Sequence, residues 1–193
     1  MNELISQKQN LRKILINKRD SIKKNSSKEF DAIAFDELKK YINFKEIQNI
    51  ASFISIRSEI STNLLNKKII ELKKKLSFPV IERNSKELIF KRADLNNSFK
   101  LGKFNIPEPE NESEEIIPQL FFVPCLGFDL NGYRIGYGGG FYDKTFAKLK
   151  KLNFKFNTVG FAFDNQMQSK LPRESFDYKL DFVLTEKQLY KFV

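Results

Sequence analysis

The sequence predicts an α/β fold: a single three-layer α/β domain, residues 1–193, with a mainly parallel central sheet flanked by helices. Three observations predict it. Apolar segments of strand length alternate with stretches of helical periodicity along the chain. Leu120-Phe121-Phe122-Val123-Pro124 is a continuous apolar run, the pattern of a strand covered on both faces. Between 50 and 81 the order is strand, helix, strand, which implies a right-handed parallel crossover.

Each element follows from its residues. A helix is expected over 3–24, with Leu4, Leu11, Leu15 and Ile22 on one stripe and Lys8 and Arg12, spaced i,i+4, beside it. Ser26 and Glu29 form a capping box for a second helix with Phe30, Ile33, Ala34, Leu38 and Tyr41 inward. Ile50 to Ile54 reads as a strand and Ser55 to Glu59 as a turn. Thr62 caps a third helix running to about Lys75, and Leu76 to Ile81 reads as a strand. Glu87 to Lys91 suggests a short strand, and Ile106-Pro107-Glu108-Pro109 must be extended, because proline restricts its predecessor. The acidic stretch Glu108 to Glu115 reads as an exposed loop. After the apolar run, Tyr142, Phe146 and Leu149 recur at helical spacing, and Thr158 to Phe163 and Phe182 to Thr185 read as strands. In such sheets ligands bind at the carboxyl ends of strands, where Glu59 and a glycine cluster both fall.

Composition narrows the chemistry. A formal net charge of +10 points to an anionic partner, a nucleotide or a nucleic acid, or to solvated surface charge alone. No helix-turn-helix, zinc-finger or aromatic RNA-binding signature accompanies that charge. Histidine is absent, which excludes Ser-His-Asp and Cys-His machinery and histidine metal sites. The single cysteine, Cys125, excludes an internal disulfide and is expected to line the core. No apolar run approaches a membrane span, and a cytoplasmic location is expected.

Residues 132–144, GYRIGYGGGFYDK, hold five of the eight glycines. A strand, Gly136-Tyr137-Gly138-Gly139-Gly140 and a helix start have the parts of an anion cradle, because glycines expose amides and the helix offers its positive end. Asp143, in the first helical turn, could hold a cation that accompanies a phosphate. A tight turn with a helix-favouring aspartate is the plainer alternative. The Walker pattern fails, since Phe141-Tyr142 stand where it needs lysine and a hydroxyl residue, and a dinucleotide fingerprint would require glycine at 141.

The run Pro124-Cys125-Leu126-Gly127-Phe128-Asp129, with Tyr133-Arg134-Ile135-Gly136-Tyr137-Gly138-Gly139-Gly140-Phe141-Tyr142-Asp143, resembles the signature of 5-formyltetrahydrofolate cyclo-ligases. The resemblance continues through Lys8 to Arg12, Phe53 to Glu59, Asn105 to Pro109, Gly160 to Asp164 and Leu171 to Asp177. It implies ATP- and Mg²⁺-dependent closure of 5-formyltetrahydrofolate to 5,10-methenyltetrahydrofolate, with ADP and phosphate released. By position it implies that ATP meets Lys8, Gln9, Asn10, Leu11 and Arg12, together with Arg134, Ile135, Gly136, Tyr137, Gly138, Gly139, Gly140, Phe141 and Tyr142. The folate would meet Arg12, Ile54, Glu59, Tyr137, Gly138, Gly139, Gly140 and Phe141. Asp143 and Asp177 match magnesium-associated carboxylates, and Arg134, Tyr142 and Asp143 the catalytic set. The implied partners are ATP and a folate, with or without further glutamates, rather than nucleic acid or membrane, and the implied form is a monomer.

Departures stand out. The family usually has arginine where this chain has Tyr137, histidine where it has Phe176, aspartate where it has Ser61 and arginine where it has Lys144. Lys170 or Arg173 is the candidate replacement for the charge missing at 137. Two other readings stay open on sequence alone: a basic nucleic-acid-binding protein on an α/β scaffold, and a folate-binding relative without catalysis.

Overall fold

The computed structural model describes residues 2–25, 32–93 and 99–193. Helix α1, Asn2–Asn25, matches the stretch expected over 3–24. Its buried face carries Lys8, Leu15 and Arg19, with Leu11, Ile16 and Ile22 partly covered. These positions are three or four residues apart, which places them on one stripe. That stripe is unusual in chemistry, since two of its deepest members are cations.

Helix α2, Ala32–Leu38, puts Ala34, Phe35 and Leu38 into the core. The expected capping pair Ser26 and Glu29, and Phe30, lie outside the described residues. Tyr41, expected inward, is half exposed with its ring against Phe182. Strand β1 (Asn49–Ala51), helix α3 (Asn63–Glu71) and strand β2 (Lys75–Val80) form the expected parallel crossover, with Ile50 opposite Leu76. α3 ends before the expected Lys75. Leu72 closes the helix, and Lys73 takes a left-handed φ of 55°, turning the chain into β2. Thr62 stands at the helix N-terminus without capping it; its hydroxyl donates to the Phe53 carbonyl at 2.8 Å and so ties the loop after β1 to α3.

Strand β3, Ile89–Arg92, runs antiparallel to β2. Strands β4 (Phe99–Leu101) and β5 (Pro107–Pro109) make a separate antiparallel pair, of which only the extended 106–109 segment was expected. The acidic stretch is only partly free, since Glu114 is held by Lys75 and Arg92 at 3.1 and 3.3 Å. Strand β6, Leu120–Pro124, is the apolar run. Strands β7 (Gly127–Asp129) and β8 (Arg134–Ile135) follow, then helix α4 (Phe141–Lys151) and strand β9 (Asn157–Phe161). The chain closes with β10 (Met167–Gln168), β11 (Phe182–Leu184) and β12 (Leu189–Lys191).

The main sheet has the order β12-β11-β9-β6-β1-β2-β3; its five inner strands are parallel and both edges antiparallel. β6 lies in the middle of that order, and its residues alternate between two cores as a strand's must. Phe122 packs with Phe35, Leu38, Leu65 and Ile69, on the α2/α3 face. Phe121 and Val123 pack with Phe146 and Leu149 of α4, on the other. This is the three-layer arrangement. Burial of each such aromatic is worth about 1.5–3 kcal/mol.

β1 leads to β2 on one side, whereas β6 leads through α4 to β9 on the other. The carboxyl ends of β1 and β6 therefore flank the crevice where the strand order reverses, the usual ligand position in such sheets. The sequence did not show what roofs this crevice. β10, β7 and β8 form a small second sheet, and α1 covers it through Leu15, packed with Leu126, Ile135 and Leu171.

Asp129 locks the small sheet. It is fully buried, and its Oδ1 accepts the N–H groups of Asn131 and Tyr133 while Oδ2 accepts that of Leu171 at 3.0 Å. Asp129→Asn presents an amide donor to one of those N–H groups. The expected cost is about 2–3 kcal/mol, or a melting temperature lower by about 4–12 °C. An unchanged melting curve would show that water replaces the carboxylate there.

Candidate active site

The glycine loop spans Gly136 to Gly140, between β8 and α4. Gly138 has φ +102° and Gly140, at the helix N-terminus, φ +66°, conformations that other residues rarely adopt. Arg12 backs the loop. Its Nε donates to the Gly136 carbonyl at 2.9 Å, and a Cβ on Gly138 would lie 3.1 Å from its Cζ. The loop's glycines are therefore needed on two counts, backbone angle and the close approach of α1. Around the loop stand further cations: Lys144 beside Gly140, and Lys103 over the Phe141 ring at 5.7 Å.

α1 also places Arg19, which sequence reading did not single out. Arg19 is 1 % exposed. Its Nε donates to the Ser58 hydroxyl at 3.1 Å, Nη2 donates to the Tyr137 hydroxyl, and Nη1 lies 3.7 Å from Glu59 Oε1. The available signal was spacing: Lys8, Arg12, Leu15 and Arg19 share a helical stripe. One turn further, Lys23 donates to the carbonyls of Arg57 and Glu59 at 2.9 and 3.2 Å. The turn after β1 is thus held from α1 at three points.

Glu59 is 4 % exposed, and its Oε2 accepts the Ile56 N–H at 2.9 Å. Burial pushes its pKa above the ordinary glutamate value, against the pull of that amide, Arg19 and Tyr137. A buried carboxylate stripped of its cation would cost the fold about 3–5 kcal/mol, so Arg19 and Glu59 belong together. Ile54 lies half-buried in the same loop.

Among the other residues predicted, Lys8 is paired with carboxylates. Its Nζ is buried between Glu174 and Asp177, at 2.7 and 2.6 Å. Gln9 and Asn10 point to the solvent side of α1, and Leu11 joins the cluster beneath it. Ile135 is a core residue. Arg134, largely buried, donates through Nη2 to Asp143 Oδ1 at 2.9 Å and through Nη1 to the Tyr178 carbonyl at 3.1 Å. Asp143 Oδ1 also accepts the Tyr178 N–H at 3.0 Å, which brings it alongside Asp177. The Tyr142 hydroxyl is buried without a partner, and burial with the nearby Glu59 charge raises its pKa beyond the ordinary phenol range. Cys125 is buried, and desolvation pushes its thiol up to about 12, which leaves it inert.

Asp143 and Asp177 each commit one oxygen to cations and amides, Oδ1 and Oδ2 respectively. The oxygens that remain are hard donors, which suit Mg²⁺ held jointly with phosphate oxygens and water. Among the described residues no group of three or more His, Cys, Asp or Glu is placed to hold a metal by itself. Asp143 and Asp177 could therefore serve a Mg²⁺ ion only together with ligands from outside the chain.

The candidate replacements for a charge at 137 lie elsewhere. Arg173 stacks on the Tyr133 ring at 4.4 Å, and Lys170 lines a shallow cleft with Gln7, Leu11 and Pro172. Tyr137 instead sits between Arg19 and Arg57, whose Cζ atoms are 5.5 and 5.8 Å from its ring centre. An arginine at 137 would meet two like charges. Tyr137→Arg is expected to cost about 1–3 kcal/mol, lowering the melting temperature by about 2–12 °C, with no gain in ATP affinity. A tighter ATP KM at unchanged melting temperature would overturn this.

The chain as a whole is similar to known proteins. The model of the "5-formyltetrahydrofolate cyclo-ligase family" matches residues 4–186. A 5-formyltetrahydrofolate cyclo-ligase of Haemophilus influenzae is 33 % identical over 148 residues, 74 % of this chain and 78 % of that one. One of Mycoplasma genitalium is 27 % identical over 184 residues, 92 % and 96 % of the two chains. The structure of the Aquifex aeolicus 5,10-methenyltetrahydrofolate synthetase superposes with a TM-score of 0.75 at 29 % identity, covering 96 % of this chain and 92 % of that one. A match over nearly the whole chain takes in both loops at the crevice and the α1 residues that hold them. This chain belongs to the 5-formyltetrahydrofolate cyclo-ligase family.

Proposed function

We propose that this chain converts 5-formyltetrahydrofolate to 5,10-methenyltetrahydrofolate, consuming ATP with Mg²⁺ and releasing ADP and phosphate. One observation carries the reading most strongly. A glycine loop rimmed by cations and a buried carboxylate meet at the sheet's reversal point, held to each other by one helix. An anionic cosubstrate suits the first and a hydrogen-bonding heterocycle the second.

The chemistry needs no histidine. An N-formyl oxygen is a poor leaving group until it is phosphorylated. The formyl oxygen attacks the γ-phosphorus and ADP departs. N10 then attacks the activated carbon and loses its proton as phosphate leaves, closing the ring. Such transfer depends on positioning and charge neutralisation rather than on a protein nucleophile. The amides of Gly138 to Gly140 and the positive end of α4 would face phosphate oxygens. Arg12 fixes the loop in shape. Arg134 holds Asp143 by ion pair, and Lys8 holds Asp177. Those two carboxylates would hold Mg²⁺, which supplies neutralisation of phosphate charge. Tyr142 keeps its proton across the physiological range and would serve as a hydrogen-bonding phenol rather than as a base.

The direct test is the appearance of methenyltetrahydrofolate absorbance from 5-formyltetrahydrofolate. It should require both ATP and Mg²⁺, and product without either would contradict the reading. Asp143→Asn is expected to lower turnover about ten- to hundred-fold and to raise the Mg²⁺ needed for half-maximal rate. It should also loosen the fold, because the Arg134 pair is lost. Wild-type turnover and Mg²⁺ dependence in that variant would remove Asp143 from the site.

Glu59→Gln tests the carboxylate's part in folate binding. With its pKa raised by folding, Glu59 binds its proton more tightly in the native state than in the unfolded chain. Native stability therefore falls as pH rises above the ordinary glutamate value. The variant leaves the buried Arg19 without its carboxylate and should melt lower than wild type, by about 3–5 kcal/mol of stability, and its folate KM should rise at least tenfold with the ATP KM little changed. Equal changes in both KM values would make Glu59 merely structural.

A further inference from the structure

We propose that Arg19 is a substrate-recognition residue: with Glu59 it reads the cyclic-amide edge of the reduced pteridine, and the Tyr137 hydroxyl holds that place while the site is free. The proposal rests on the folate reading above and deepens it.

Arg19 is buried with one donor unspent. Nε goes to Ser58 and Nη2 to Tyr137, but Nη1 has no hydrogen-bond partner. Glu59 gives Oε2 to the Ile56 amide, receives the Tyr137 hydroxyl as well, and holds Oε1 3.7 Å from Nη1. That gap is too long for a hydrogen bond. A buried charged donor left unmade is costly, so its persistence calls for an occupant.

The gap selects the ligand's chemistry. A cyclic amide offers a carbonyl oxygen and an N–H side by side, about 2.2 Å apart from standard bond lengths. Two hydrogen bonds drawn from such an edge need splay only slightly to reach Nη1 and Oε1. Arg19 would donate to the carbonyl and Glu59 would accept from the N–H. 5-Formyltetrahydrofolate carries this edge on its pteridine ring. Swapped donor and acceptor would face like against like, so the pair also sets the ring's orientation.

Tyr137 supplies the same two roles from one atom, since a phenol both accepts and donates. Its hydroxyl accepts from Arg19 Nη2 and, facing Glu59, favours the ionised carboxylate. It is also free to leave. Tyr137 is 42 % exposed, between Gly136, around which a Cβ would find open space, and Gly138 at φ +102°. Arg57, itself exposed, lies 5.8 Å from the ring centre.

The test is calorimetric titration of the full chain with 5-formyltetrahydrofolate in the absence of ATP, alongside ATP KM values and melting curves. Tyr137→Phe removes the stand-in's hydrogen bond and should tighten folate binding about two- to tenfold. Arg19→Lys keeps the charge but loses the fork, and should weaken folate binding about ten- to hundred-fold with the ATP KM unchanged within about twofold. Adding Tyr137→Phe to Arg19→Lys should then give no tightening. Equal or weaker folate binding by Tyr137→Phe overturns the proposal, as do parallel losses of folate and ATP affinity in Arg19→Lys. If Arg19→Lys fails to fold, Tyr137→Phe decides alone. A wild-type chain that binds no 5-formyltetrahydrofolate sinks the folate reading itself, and this assignment with it; normal wild-type binding with no tightening in Tyr137→Phe sinks only the assignment.

Discussion

The ion pair between Arg19 and Glu59 is the constraint around which this end of the molecule is arranged. A carboxylate that deep is tolerable only beside a cation, and the cation comes from a helix far away in sequence. Burying Arg19 forces α1 across the mouth of the crevice. Once there, the same helix face delivers Arg12 to the glycine loop, Lys23 to the turn after β1, and Lys8 to Glu174 and Asp177. Loops from three parts of the chain are gathered on one rod. Leu15 and its neighbours supply apolar burial for that rod, while its polar contacts decide where it sits.

This explains a feature of α1 that composition would make puzzling. Its stripe is too polar for an ordinary core helix, yet it is covered. Guanidinium and ammonium groups on long apolar stems can fill space near a core and still reach charged or carbonyl partners. The net charge of +10 is thus only partly surface decoration, for several of its cations are structural and committed. Those left around Gly138 to Gly140 are what an anionic cosubstrate would meet. A chain without histidine has assembled its polar site from cations, carboxylates, phenols and backbone amides.

Much of this was legible beforehand, for reasons that differ by element. β6 could be read because a strand covered on both faces leaves an unbroken apolar run. α4 and the glycine loop could be read because glycine is placed where backbone angles and close approach demand it. The motif as a whole carried the family. What escaped was non-local. β10 and β12 are too short to show a period, and β4 pairs with β5 only through tertiary context. α3 is shorter than its sequence suggests: Lys73 to Lys75 are good helix formers, and only the left-handed Lys73 reveals the break. The family motif marks Lys8 as a nucleotide-binding residue, and its carboxylate partners, over 160 positions away, leave no local trace in the sequence. Arg19 escaped because a lone arginine on a lysine-rich helix carries no local mark of burial.

Helix α1 makes one site out of the two loops at the crevice. Hydrogen exchange of the wild-type chain, with and without 5-formyltetrahydrofolate and in the absence of ATP, tests it most directly. The account predicts that amides in 56–59, in 136–142 and in the 12–23 stretch of α1 slow together on folate addition, while those of β6 and β9 stay unchanged. Slowing confined to one loop, with α1 unaffected, would contradict it.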